Sequence, residues 1–234
     1  MFELLGFGAN GWGPALIKAA LMTFALSAAG FLAGAALGAL GAYARLMGDA
    51  FARGAAFAYS ALFRGVPDLL TIYLLYFGGS VALTTIGRWF GAQGFIGLPA
   101  FATGVVALGV ISGAYQAEVY RSAFLAIHRG ELEAARAYGM SGATMLRRIV
   151  APQTLRYAIP GLGNVWQLVL KDSALVSVIG LVELMRQAQV GAGSTREPFV
   201  FFCAAAALYL VIAAATGALF RRVERVSRRG FRTA

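Results

Sequence analysis

Long uncharged stretches separated by short arginine-bearing connections set the pattern of this 234-residue chain. Residues 19–44 carry no charge and are flanked by Lys18 and Arg45. About 20 helical residues already cross a hydrocarbon core, so this stretch predicts a first transmembrane helix. A second span is expected within 55–80, interrupted by Arg64, Pro67 and Asp68. A third fills the back of the uncharged stretch 89–117, starting near Leu98. A fourth runs from Tyr157 to Leu181, broken by Lys171 and Asp172, and a fifth from Phe199 to Phe220, just after Pro198. Proline suits a first helical turn, where its missing N–H costs nothing. The fold expected is an all-α integral membrane protein with five transmembrane helices. It divides into an N-terminal segment 1–18, a membrane domain 19–220 with a connection at 121–156, and a basic tail 221–234.

Arginine placement orients these spans. Arg45 and Arg53 occupy one connection, and Arg121, Arg129, Arg136, Arg147, Arg148 and Arg156 another. The tail holds Arg221, Arg222, Arg225, Arg228, Arg229 and Arg232, whereas the alternate connections hold only Arg88, Arg186 and Arg196. Basic residues stay on the cytoplasmic side, which predicts the N-terminus outside and the C-terminus in the cytoplasm. Residues 1–13 carry no Lys or Arg, so the first span is expected to serve as its own insertion signal.

Composition agrees with lipid as the solvent: 59% of residues are hydrophobic and 13% charged. The net charge of +10 comes from topological clusters and not from a continuous basic face, so no nucleic-acid partner is implied. The single cysteine, Cys203, lies mid-span and is expected to be a small buried hydrophobe. His128 stands alone, without the ligand pattern a metal site needs. Trp12 and Trp89, near span ends, suit interfacial anchoring, and Trp166 suits either packing or a cavity wall. Gly30, Gly34 and Gly38 recur every fourth residue, a spacing that permits close helix approach and that a glycine-rich chain also produces by chance.

The polar sequence of greatest information is Glu131-Leu132-Glu133-Ala134-Ala135-Arg136-Ala137-Tyr138, ended by Gly139 and a Ser141-Gly142 turn. Strong helix formers with acidic residues in the first turn predict a short cytoplasmic helix. A second helical stretch should run from Ala143 to Ala151, with Pro152 at its end. Small Ala134 and Ala135 would let a partner surface approach, and Glu133 would orient it through a charge-assisted bond. A surface-lying amphipathic helix fits the local pattern equally well.

Glu133, Ala134, Ala135, Gly139, Ile149 and Pro152 match, in register, the EAA loop of permease subunits of ATP-binding-cassette importers, with Ala151 in place of the usual Leu. Arg64-Gly65-Val66-Pro67-Asp68-Leu69, Gly113-Ala114-Tyr115-Gln116-Ala117-Glu118, Arg156-Tyr157-Ala158-Ile159-Pro160-Gly161-Leu162-Gly163-Asn164 and Ser194-Thr195-Arg196-Glu197-Pro198-Phe199 are similar to polar amino-acid permeases. The Arg-Gly-Val-Pro-Asp form resembles the Q-type subunits of histidine, lysine/arginine/ornithine and opine importers. The resemblance implies a type I importer permease fold in a bacterial inner membrane. It also implies a dimeric ATPase that binds ATP and Mg, a second permease (an M-type homologue or a second copy) and a periplasmic substrate-binding protein. It assigns ATPase coupling to Glu133, Ala134, Ala135 and Gly139. Within this chain a phosphate-binding P-loop is excluded, because the only lysines, Lys18 and Lys171, follow Ile17 and Leu170 where that loop needs glycine.

A charge at mid-bilayer costs about 2.5–3.5 kcal/mol on insertion scales, so each needs a partner or an aqueous cavity. Arg64 and Asp68, four apart, can pair on a helix kinked at Pro67, either as a brace or as part of a substrate path. Adjacent Lys171 and Asp172 point about 100° apart on a helix and cannot neutralise one another. In a substrate path, Asp172 or Asp68 would meet a basic side chain and Lys171 an α-carboxylate. In a helix break at the outer surface, both would be wetted and structural. Glu118, with Arg121 and Ser122 one turn on, suits an interface pair or a gate. The expected substrates are polar amino acids, foremost basic ones, or opines, with glutamine and glutamate as alternatives. A gradient-driven carrier is the rival reading, disfavoured because such carriers are built from internal repeats. A membrane scaffold without transport is a third. No nucleophile–base pair or metal cluster points to an enzyme.

Overall fold

The computed structural model describes residues 4–8 and 11–227. The tail arginines Arg228, Arg229 and Arg232 lie outside that range. Every regular element among the described residues is helical. Four are long and apolar enough to cross a membrane: Gly13–Met47, Asp68–Trp89, Ala100–Leu125 and Pro198–Ser227.

Helix α1 (Gly13–Met47) opens with proline in its first turn and spans 35 residues. At 1.5 Å per residue it measures roughly 50 Å, well beyond the ~30 Å hydrocarbon core. Asp49 caps α2 (Ala50–Gly65), accepting a hydrogen bond from the Ala52 N–H at 2.7 Å. The chain then breaks. Val66 and Pro67 are both extended, and α3 (Asp68–Tyr73) starts afresh after proline. The second apolar span therefore begins at Asp68 and not near residue 55, and it continues through a π-helical turn (Leu74–Gly78) and α4 (Gly79–Trp89). The expected kinked helix through Arg64, Pro67 and Asp68 is instead two helices. The residue before proline avoids the helical region, and proline removes the donor needed for continuity.

Helix α5 (Ala100–Leu125) is the most deeply buried span, packed chiefly on α1. The glycine stripe explains how. A Cβ on Gly34 would lie 2.0 Å from Ser112 Oγ, and one on Gly113 would lie 2.6 Å from the Tyr59 hydroxyl. No side chain fits at either position, so the backbones approach closely enough for direct polar contacts. Ser112 Oγ donates to Gly30 O (3.3 Å), and the fully buried Gln116 donates to Phe31 O (3.0 Å).

After α5 come the short helices α6 (Arg129–Ala137) and α7 (Gly142–Met145), a second π-helical turn (Leu146–Val150), and α8 (Ala151–Asp172). The helix expected to end at Ala151 does not end there. Pro152 sits in the first turn of α8, and the preceding π turn accommodates its missing donor. A 3₁₀ turn (Ser173–Ile179) closes at Gly180, followed by α9 (Leu184–Thr195) and α10 (Pro198–Ser227), which begins at proline as expected. Leu26, Ile72, Leu108, Ile111, Val165 and Val176 form the main core, and a second cluster gathers Leu16, Leu184 and Phe201. Trp166 is a packing residue, edge-on to Phe24 (5.9 Å) and Phe31 (5.6 Å). Cys203 is exposed on α10, contrary to the expected burial, because that helix turns much of its apolar surface outward.

Candidate functional site

Two groups of polar residues stand apart from the apolar body. The first is α6. His128 caps its start, Nδ1 accepting from the Gly130 N–H at 3.3 Å, and Glu131 lies in the first turn. Gly139 ends it at φ +73°, a left-handed conformation that costs glycine nothing. There the Gly139 N–H reaches Arg136 O (2.9 Å) and the Met140 N–H reaches Ala135 O (3.1 Å). Ser141 then caps α7 through the Thr144 N–H (3.3 Å), and Gln153 of α8 hydrogen-bonds Glu131. Glu133, Ala134 and Tyr138 form an exposed outer face, Tyr138 at 86%. Ala135, at 3%, is turned inward. The small pair thus splits: Ala134 faces outward, and Ala135 lets α6 settle against its own chain.

The second group lies where α3, α5, α8 and the 3₁₀ turn meet. Arg64 makes no ion pair with Asp68. Its Nη1 lies 3.9 Å from Glu118, and its guanidinium stacks 5.5 Å from the Tyr115 ring centroid. Glu118 also accepts from Arg45 and from Arg121 Nε (3.1 Å), so α1, α2 and α5 converge on one carboxylate. Asp68, Asp172, Arg64 and Tyr115 lie close enough to interact electrostatically. Asp172 is partly buried and its Oδ2 has no hydrogen-bond partner among the described residues, whereas its neighbour Lys171 is exposed. Two carboxylates with an arginine and a phenol at their edge suit a ligand bearing both a cation and a carboxylate. His128 is occupied in its cap, and no cluster fit to hold a metal occurs among the described residues.

Sequence reading missed Glu183. It is fully buried, accepts from the Met185 and Arg186 N–H groups (both 2.8 Å), and takes the Tyr209 hydroxyl (2.9 Å) and, at 3.4 Å, Thr23. It ties α1, α9 and α10 together. The available signal was an acidic residue just ahead of the helical run from Leu184, a helix N-cap pattern.

Residues 30–229 match the family described as binding-protein-dependent transport system inner membrane component. The octopine transport system permease protein OccQ of Rhizobium radiobacter is 54% identical over 97% of this chain and 96% of that protein. The histidine/lysine/arginine/ornithine transport system permease protein HisQ of Escherichia coli (strain K12) is 35% identical, over 92% and 94%. Among solved structures, an amino acid ABC transporter crystallised with histidines superposes with a TM-score of 0.78 at 33% identity, covering 92% of this chain and 94% of that one. The chain therefore belongs to the family of binding-protein-dependent transport system inner membrane components, as a permease subunit of an ABC importer and not as its ATPase.

Proposed function

We propose that this permease carries basic amino acids or opines across a bacterial inner membrane, driven by ATP and Mg bound on a separate dimeric ATPase. The second permease, an M-type homologue or another copy of this chain, completes the pore, and a periplasmic binding protein delivers the solute. The chain crosses five times, with α8 and the following 3₁₀ turn as the crossing additional to the four apolar helices. The arginine distribution supports an outer N-terminus and a cytoplasmic C-terminus.

The observation that carries the reading is the free outer face of α6. Glu133, Ala134 and Tyr138 are exposed on a short capped helix, and Gly139 fixes where that helix ends. ATP closes the ATPase dimer, whose grooves draw two such helices together and open the pore outward; hydrolysis releases them and opens it inward. Coupling passes through contacts that differ between the two states, the only route by which one ligand shifts another's equilibrium. Ala135 contributes by seating α6 on its own chain. In the path, Asp68 and Asp172 receive the cationic side chain, and Arg64 or Lys171 receives a carboxylate. Glu118 holds Arg64 at the inner edge of that path.

Glu133→Lys tests the coupling. The variant inserts and assembles normally yet gives no uptake, measured in proteoliposomes with the ATPase and binding protein supplied. Wild-type uptake by that variant removes Glu133 from the coupling contact. Gly139→Ala lowers coupling as well, since a side chain at φ +73° is strained by about 1 kcal/mol or more.

A further inference from the structure

A cavity of about 750 Å³ opens between α6, α7 and the inner ends of α1, α5 and α8. That is within the range of about 300–1,000 Å³ in which small ligands are held. Its wall is mostly apolar, including Ala42, Met47, Phe124, Leu146 and Leu155, and Arg136 is its one charged residue. Two features identify an occupant. Ala39 and Ala42 belong to the uncharged stretch 19–44, whereas Leu132, Arg136 and Leu146 belong to the arginine-rich connection, so the cavity straddles the boundary between hydrocarbon and headgroups. Its polar edge is cationic: Arg136 lines it, and exposed Arg147 and Arg148 lie on the π turn whose Leu146 and Val150 form part of the wall.

We infer that this cavity holds one acyl chain of an anionic phospholipid of the inner leaflet, with its phosphate at Arg136. An open groove walled mainly by apolar side chains gives water few partners, and a chain with a negative head satisfies both the apolar wall and its cationic edge. The lipid lies directly behind α6 and sets the angle at which that helix meets the ATPase. This inference rests on the cytoplasmic orientation of α6 proposed above.

The test is native mass spectrometry of the assembled transporter after detergent exchange, with phosphatidylglycerol or phosphatidylcholine added back. Wild-type complex retains one phosphatidylglycerol per copy of this chain, and Ala143→Phe or Ala39→Phe, which fill the cavity, lose it while eluting as intact complexes. Arg136→Gln keeps a lipid with roughly fivefold less preference for the anionic head. No retained lipid, equal retention of both lipids by wild type, or retention unaffected by both filling variants overturns the inference. So does a photocrosslink to the second permease from a benzophenone side chain placed at position 47, which assigns the cavity to a protein. Labelling of Ser141→Cys in a Cys203→Ser background, by a membrane-impermeant maleimide, separates the two readings. Reaction from the outer side overturns the orientation, whereas reaction from the inner side without bound lipid overturns the lipid alone.

Discussion

Arg64 Nη1 lies 3.9 Å from the Glu118 carboxylate, across the gap between α2 and α5, and makes no ion pair with Asp68 four positions along the chain. The extended Val66–Pro67 break separates the two residues that one continuous helix would have stacked. Asp68 is thereby left to the polar centre it shares with Tyr115 and Asp172.

The three arginines on Glu118 are not equivalent. Arg45 is 17% exposed and Arg64 45%. Losing a part-buried charge-assisted hydrogen bond costs about 1.5–3 kcal/mol even with Arg121 still on Glu118, whereas exposed pairs contribute about 0–1 kcal/mol. Arg45→Gln therefore lowers the thermal midpoint of the detergent-solubilised complex clearly, by an equivalent of about 2–3 kcal/mol. Arg64→Gln leaves it within about 1 kcal/mol and instead weakens uptake. Equal thermal shifts from the two variants contradict this ranking.

The glycines make a second contrast. A Cβ on Gly34 meets Ser112 Oγ at 2.0 Å, while one on Gly54, within α2, meets nothing within 4 Å. Gly34→Ala forces α1 and α5 apart and costs about 1–3 kcal/mol, as overpacking does. Gly54→Ala stabilises its helix by up to about 1 kcal/mol. Trypsin resistance and fluorescence-detected gel filtration after heating read both, and the signs should be opposite.

What the sequence made legible was whatever depends on local pattern. Charge-free length located α1, α5 and α10, and helix formers ahead of Gly139 located α6 with its end. The hydrophobic pattern misplaced the second span because α2 is apolar enough to imitate a crossing, and the break after Gly65 depends on backbone conformation. Pro152 read as a helix end because a π turn that accommodates it leaves no mark in composition. Of the residues proposed for the path, Asp68 and Asp172 come together only through the packing of α3 on the 3₁₀ turn, about a hundred positions apart, and no periodicity records that. Glu183 was overlooked for the same reason: its partners Thr23 and Tyr209 belong to the first and last helices.

Glu183 gives the next expectation. Four donors converge on its carboxylate, two of them backbone N–H groups at the start of α9. Glu183→Ala leaves those donors buried and unpaired, each at about 1–3 kcal/mol, and the assembled transporter should fail to accumulate. Tyr209→Phe removes a single donor and should cost about 1–2 kcal/mol, enough to lower the thermal midpoint while sparing assembly. A Glu183→Ala complex of normal yield and midpoint shows that the network is not what joins α1, α9 and α10.

The acidic pair makes the substrate class measurable. Asp172 Oδ2 is buried without a hydrogen-bond partner among the described residues, and Asp68 lies near enough to feel its charge. Two carboxylates held together, with the neighbouring Arg64 guanidinium drawn toward Glu118, favour a solute that brings a cation, and neutralising either weakens that preference. Asp172→Asn, and to a lesser degree Asp68→Asn, should reduce uptake of arginine by roughly tenfold or more, a loss of about 1.4 kcal/mol or greater in transition-state stabilisation. Uptake of a neutral amino acid that the binding protein also delivers should fall much less. Arg64→Gln should act on both solutes alike, because each presents the same carboxylate. Competition uptake with arginine, histidine, glutamine and an opine, run with one binding protein throughout, separates these effects. If the aspartate variants slow the neutral solute as much as arginine, the pair braces helices and selectivity resides elsewhere.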